Sequence, residues 1–220
     1  MARYASSEET RAALIQAAGE LFALHGVEGV STRAVADRAG ENIGSIHYHF
    51  GSKEGLHVET LRHATRQFSG DPLGRYLDER QHLTGTPHEQ AQLVAGFIGF
   101  HFDLICAKDD PPWCPSLVFH TLQRPSEARS IMRQELMDPI QVAYTRLHRI
   151  VRPQAPLQTA QIWALNRTAE AIFYTVFEPA ITDYLAITTY SPEFLAEVRR
   201  QIQQSALLTL GLPCEESLNA

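Results

Sequence analysis

Short apolar stripes at helical spacing, punctuated by turn residues, organise the first sixty positions of the chain. Leu14, Ala17, Ala18, Leu21, Phe22 and His25 repeat along one helix until Gly26 stops the run, and Ser6 with Glu9 has the form of a capping box at its start. Ser31 is placed to cap a second, shorter helix in which Val35, Ala36 and Ala39 share a face, and Gly40 supplies the backbone freedom that ends it. Asn42 then reads as the cap of a third helix. There Ile43, Ile46 and Phe50 fall at i, i+3 and i+7 and are expected to point inward, leaving Gly44, Ser45, His47 and Tyr48 on the free face. Two short helices joined by a tight turn, one side buried and the other bare, form the arrangement with which a helix-turn-helix enters a groove of duplex DNA.

The rest of the chain continues in helical period. Ser52 opens a helix through Leu56, Leu61 and Ala64 to about Phe68, and Gly70-Asp71-Pro72 breaks it. A short helical piece follows between Leu73 and Leu83 and ends by Gly85. Thr86, Pro87 and Glu89 combine a cap, a first-turn proline and a capping-box acid, so a helix is expected over 87–107. With Val94, Phe97, Ile98, Phe100 and Phe102 spread around it, that helix should be central. Asp109 to Pro115 reads as a loop, Ser116 to Gln123 as a short helix, and Ser126 as the cap of another that kinks or resumes at Pro139 and ends before Pro153 and Pro156. A long helix from Leu157 has Pro179 as its kink, and Ser191-Pro192 starts the last, with Leu195, Val198, Ile202, Ala206 and Leu210 apolar until Gly211. Ile187 to Tyr190 is β-prone but too isolated to form a sheet. The fold class expected is all-α: a three-helix helix-turn-helix domain over 1–52 and a helical bundle over 53–220, with about nine helices in total.

The motif residues also carry a resemblance. Thr10-Arg11, Leu14-Ile15, Ala17-Ala18, Leu21-Phe22, Gly26, Ser31-Thr32-Arg33, Val35-Ala36, Ala39-Gly40 and the run from Tyr48 to Glu54 resemble the N-terminal domain of TetR/AcrR-type transcriptional regulators. The turn Glu41-Asn42-Ile43 and the stretch from Pro125 to Pro139 more loosely resemble the CecR-like branch. The resemblance implies that Thr32 and Arg33 touch the DNA backbone, that Gly44, Ser45, His47 and Tyr48 face the groove, and that His49 and Lys53 meet phosphate. His47 departs from the tyrosine commonest there. It further implies a homodimer through the last two long helices, a ligand cavity among the earlier C-terminal ones, and a near-palindromic operator as partner. The apolar faces of the last helices, Ile202 included, are accordingly expected to need cover from a second subunit.

Charge argues mildly the other way. A formal net of −6 and a pI near 5.9 are not the usual nucleic-acid signature. Through residue 57, Arg3, Arg11, Arg33, Arg38 and Lys53 are outnumbered by Glu8, Glu9, Glu20, Glu28, Asp37, Glu41 and Glu54, so placement of charge has to matter more than its sum. There is no apolar run of membrane-spanning length and no leader pattern, and the scattered Cys106, Cys114 and Cys214 suit reduced thiols. A soluble cytoplasmic protein is expected, without a membrane partner.

Effector contacts are expected from polar or aromatic residues set in apolar faces between about 87 and 180: Phe97, His101, Trp113, His120, Trp163, Arg167, Glu170 and Tyr174. Arg167 and Glu170, three apart, read equally as a surface ion pair, and the phenylalanines equally as core. His101, Cys106, Cys114 and His120 lack any spacing that unites metal ligands, and no phosphate cradle or nucleophile elbow occurs. The reading is a DNA-binding regulator, a repressor released by a small-molecule effector, with no catalytic residues, metal or cofactor. The alternative is a dimeric helical adaptor or ligand-binding protein that does not bind DNA.

Overall fold

The computed structural model describes residues 7–106 and 111–214. Ser6, the expected capping serine, and Asp109 lie outside them. The helices are α1 (Ser7–His25), α2 (Thr32–Ala39), α3 (Ile43–Phe50), α4 (Lys53–Ala64), α5 (Pro72–Glu79), α6 (Pro87–Ile105), α7 (Cys114–Gln123), α8 (Glu127–Met132), α9 (Asp138–Val151), α10 (Leu157–Val176), α11 (Glu178–Leu185) and α12 (Pro192–Leu210). Among the described residues no strand is present, so the chain is all-α. The helices outnumber the expected nine because prolines split continuous runs. A π turn at Arg133–Met137 interrupts the α8–α9 run just before Pro139, and Phe177 separates α10 from α11 two residues before Pro179. Likewise α4 stops at Ala64 and gives way to a single 3-10 turn at Arg66–Phe68, short of the expected continuous helix. Pro115, sitting in the first turn of α7, lets that helix start at Cys114, before the expected serine.

The caps act through named hydrogen bonds. Ser31 Oγ accepts from the Ala34 amide at 3.1 Å, Asn42 Oδ1 from Gly44 at 2.7 Å and Ser52 Oγ from Gly55 at 3.0 Å. Gly40 ends α2 in the left-handed region at φ 71°, where its amide reaches the Ala36 and Asp37 carbonyls. Thr86 and Glu89 close the full capping box on α6.

Packing divides the described residues into two compact units, those of 1–66 with 109–136 and those of 67–108 with 137–220. The expected boundary at 52/53 follows the helix-turn-helix pattern, whereas packing groups α4, α7 and α8 with α1 to α3. In the first unit Leu14, Ala18, Phe22, Val35, Ile46, Leu56 and Leu61 are wholly buried, joined by Trp113, Leu117 and Met132. Trp113 lies so close over Gly19 that a side chain there would meet its ring. His25, at the end of the α1 stripe, is exposed.

In the second unit α6 is central as expected, packed along α12 and against α5, α9 and α10. Val94, Phe97, Ile98 and Phe102 meet Tyr144, Leu147 and Trp163 in its core. Ile202, expected to face a second subunit, is only 7% exposed and belongs with Val198, Ala206 and Leu210 to that same core, because α12 turns this stripe toward α6. The apolar side chains left outside include Ile162, Leu165, Ile172 and Phe173 on α10 and Leu208 on α12. No helix of the described residues is long and apolar enough to cross a membrane.

Two buried histidines, His57 in the first unit and His101 in the second, are held neutral by their surroundings. Thr121 Oγ1 donates to the Leu117 carbonyl at 2.9 Å, so the His57 ring donates from Nε2 to that oxygen at 3.1 Å. His101 Nδ1 pairs with the Tyr144 hydroxyl at 2.7 Å. Burial depresses their pKa values from 6.5 to about 4 and about 3 respectively. Both rings protonate more readily in the unfolded chain, so stability is complete above pH 6.5 and is lost as pH falls through that value toward 4. Thermal unfolding should therefore show Tm falling from pH 7 to 4.5, and His57→Gln should cost less stability at pH 4.5 than at pH 7. A cost independent of pH would show that His57 does not carry the effect.

Candidate nucleic-acid interface

Of the residues of α3, Ile46 alone is fully buried. The helix is thus pinned by one side chain, two caps and its neighbours, and nearly all its surface is free. Tyr48 is 81% exposed, Gly44 and His47 are exposed, and Ser45 and His49 are half-buried. His47 Nδ1 lies 3.0 Å from the Gly51 carbonyl, which orients the ring at the end of α3. The Tyr48 and His49 rings meet edge to face at 4.9 Å. Ile43, expected to point inward, is 45% exposed. It is the first residue of α3, one turn before Ile46, where the neighbouring helices no longer cover it. Phe50 is half-buried, with the Arg11 guanidinium 5.6 Å above its ring.

Thr32 and Arg33 open α2, at the positive end of its dipole. Arg33 is exposed and only loosely held by Asp37 at 3.9 Å. Arg38 is committed to Glu20 at 2.5 Å, and Arg11 to Glu59 at the same distance. Lys53 is turned into the fold: its Nζ donates to the Val27 carbonyl at 3.1 Å and to that of Val30 at 3.4 Å, closing the α1–α2 connection. Spacing in the sequence carried no sign of this second role. What remains on the outer face is a bare helix surface with an aromatic ring, an imidazole, a hydroxyl and glycine backbone, flanked by Arg33. Such a surface suits hydrogen bonding and contact at base edges more than dense phosphate neutralisation.

The expected effector residues separate into two sets. Phe97, His101, Trp163, Arg167, Glu170 and Tyr174 lie in the second unit, whereas Trp113 and the exposed His120 belong to the first. Phe97, Tyr144 and His101 stack edge to face, and Trp163 Nε1 donates to Thr209 Oγ1 at 2.9 Å. Arg167 is no surface residue: at 8% exposure, its Nη1 donates to Ser205 Oγ at 2.5 Å and meets Glu170 at 3.0 Å. Burial raises the Glu170 carboxyl above the ordinary range despite that arginine. His101 Nε2, Arg167 Nε and Glu170 Oε2 are buried without a hydrogen-bond partner. Tyr174 packs on Tyr190 and Phe194. No three His, Cys, Asp or Glu of the described residues converge as metal ligands.

Residues 14–60 match the family described as bacterial regulatory proteins, tetR family. The chain is 25% identical over 143 residues to the HTH-type transcriptional dual regulator CecR of Shigella flexneri, covering 64% of this chain and 63% of that protein. It is 39% identical over 68 residues to the HTH-type transcriptional repressor KstR2 of Rhodococcus jostii strain RHA1, covering 31% of each. The matches thus span less than two thirds of either relative's length. In fold, the chain superposes on a Clostridium perfringens candidate regulator of fatty acid metabolism with a TM-score of 0.61 at 15% identity, over 87% of this chain and 97% of the other.

The position of Lys53 leads to a test that requires no DNA. Lys53→Ala should lower the unfolding free energy by about 1.5–3 kcal/mol, the usual worth of hydrogen bonds to a charged group. Urea titration measures it, and an unchanged midpoint and slope would show that the ammonium is not holding the connection.

Proposed function

We propose that this chain, whose residues 14–60 match the tetR family of bacterial regulatory proteins, is a homodimeric, cytoplasmic repressor, released from a near-palindromic operator by a small-molecule effector. The observation that carries the DNA-reading part is the face of α3, held by Ile46 and otherwise bare. In this reading Gly44, Ser45, His47 and Tyr48 meet base edges and the groove wall, and Thr32, Arg33 and His49 meet the backbone, with Lys53 both near phosphate and bound to the α1–α2 connection. The acidic total is compatible with DNA because Glu20 and Glu59 are neutralised by arginines of the same unit.

The outward Ile162, Leu165, Ile172 and Phe173 of α10, with Leu208 of α12, support assembly through the last long helices. The buried polar atoms of His101, Arg167 and Glu170, set beside Phe97, Trp163 and Tyr174, support an effector site in the second unit. Regulation then follows from linkage: an effector that binds one arrangement of the dimer better shifts the population away from the arrangement that fits the operator.

Two measurements test this. Full-length protein mixed with a random-sequence duplex pool should enrich a near-palindrome whose half-sites lie about one helical turn, roughly 34–36 Å, or a multiple of it apart. Tyr48→Ala and His47→Ala should each change the enriched bases. Failure to enrich any duplex would favour a dimeric ligand-binding or adaptor role. Separately, Leu165→Glu should turn a dimer into a folded monomer in sedimentation, since an unpaired charge in an apolar interface is costly. A variant that still sediments as a dimer would exclude this face.

A further inference from the structure

An α3 anchored by one buried side chain needs other constraints to keep its angle, and the first unit contains a continuous chain of them. Arg11 of α1 lies over the ring of Phe50, the last residue of α3. Its Nη2 meets Glu59 Oε2 of α4 at 2.5 Å. The other oxygen of Glu59 meets Arg62 Nη1 at 2.8 Å. One turn further along α4, Arg62 then grips Glu135 with both prongs: Nε to Oε2 at 3.0 Å and Nη2 to Oε1 at 2.7 Å.

Glu135 sits inside the π turn Arg133–Met137, where the helix that begins as α8 gains a residue in its register. The two-pronged contact therefore ties the least regular turn of that helix to α4, whose own beginning is held by Lys53 on the Val27 and Val30 carbonyls. Between Lys53 and Arg62 α4 rises about 13 Å, a rigid strut with a fastening at each end. An isolated exposed ion pair contributes little, but a shared network with a bidentate arginine has the geometry to transmit position.

We propose that Arg11, Glu59, Arg62 and Glu135 form a positioning relay that sets the tilt of α3, so that Glu135 in the π turn controls DNA affinity without touching DNA. The proposal rests on the DNA-reading assignment of α3. A shift of the π turn would be felt at Phe50, and any signal that reaches Glu135 would be carried to the reading face.

The sign of one substitution separates this from ordinary electrostatics. Removing an acidic charge from a protein should strengthen its hold on a polyanion. The relay requires the reverse: Glu135→Gln should weaken binding of the duplex that the wild-type protein selects by about fivefold or more, a modest coupling between two sites. Arg62→Gln should weaken it too, and the double variant should be no weaker than Arg62→Gln alone. The slope of log affinity against log salt should stay at the wild-type value in Glu135→Gln, because no phosphate contact is lost. Unchanged or tighter binding by Glu135→Gln overturns the relay. Amide hydrogen exchange in the DNA-free protein supplies an independent readout: the α3 amides should exchange faster in Glu135→Gln while those of Leu14 to Phe22 do not change. Normal wild-type DNA binding with no change in α3 exchange or affinity refutes the relay alone. A wild-type protein that selects no duplex yet shows faster α3 exchange in the variant refutes the DNA-reading assignment and leaves the mechanical coupling standing.

Discussion

The placement of α3 in the first unit depends on the burial of Ile46. An eight-residue helix is too short to persist in water by itself, and α3 has one wholly buried side chain with which to attach itself to a core. Burying one isoleucine is worth about 1.5–3 kcal/mol, less than the ordering of a whole helix demands. The difference is made up by geometry fastened elsewhere. Asn42 and Gly51 close the two ends, Arg11 covers Phe50, and Leu14, Phe22, Val35, Leu56 and Leu61 present a socket that is already assembled by α1, α2 and α4. The economy has a functional side, because each further residue buried would be one fewer to offer to a groove.

The same constraint shapes the charges. The proposed binding of an acidic chain to a polyanion looks contradictory at the level of composition. The structure resolves it by local pairing: Glu20 is engaged by Arg38, Glu59 by Arg11 and Arg62, and Glu135 by Arg62. These arginines are consequently not available to phosphate. Arg33 remains as the loosely held cation beside α3, with helix ends and neutral donors around it. In the proposed role, recognition on such a surface leans on fit and base contact and is more selective than tight.

Elements whose signals are local were legible in the sequence. Ser31, Asn42, Ser52, Thr86 with Glu89, and Ser191 all cap the helices they announced, since a cap needs only the residue and the amides two or three places on. Positions decided by distant partners were not. Ile43 obeyed the helical period of Ile46 yet lies beyond the reach of the helices that bury it. Lys53 resembled a phosphate contact, and its bonds to Val27 and Val30 arise from a fold contact that no spacing encodes. Trp113 and His120 stood within the stretch that otherwise supplies the second unit, but α7 packs with α1 and α4. Ile202 lay on an apolar stripe as readily turned inward as outward, and α6 took it. For Ile43 and Ile202 the period identified an apolar face, and tertiary packing decided whether anything covered it.

The second unit raises the complementary problem, that of polar groups in a place with few partners. His101 reaches Tyr144 through one nitrogen while the other has none, and Arg167 and Glu170 satisfy each other and Ser205 only in part. Unmet buried donors and acceptors cost about 1–3 kcal/mol each, so such a cluster is retained against a steady penalty. Replacing it with apolar side chains of similar volume would remove that penalty, and with it the chemistry that could recognise a polar effector. Unmet polarity beside aromatic side chains is the ground on which an effector site is proposed for this unit. The bare face of α3 makes the parallel bargain in the first unit, leaving surface unburied so that another molecule can bury it.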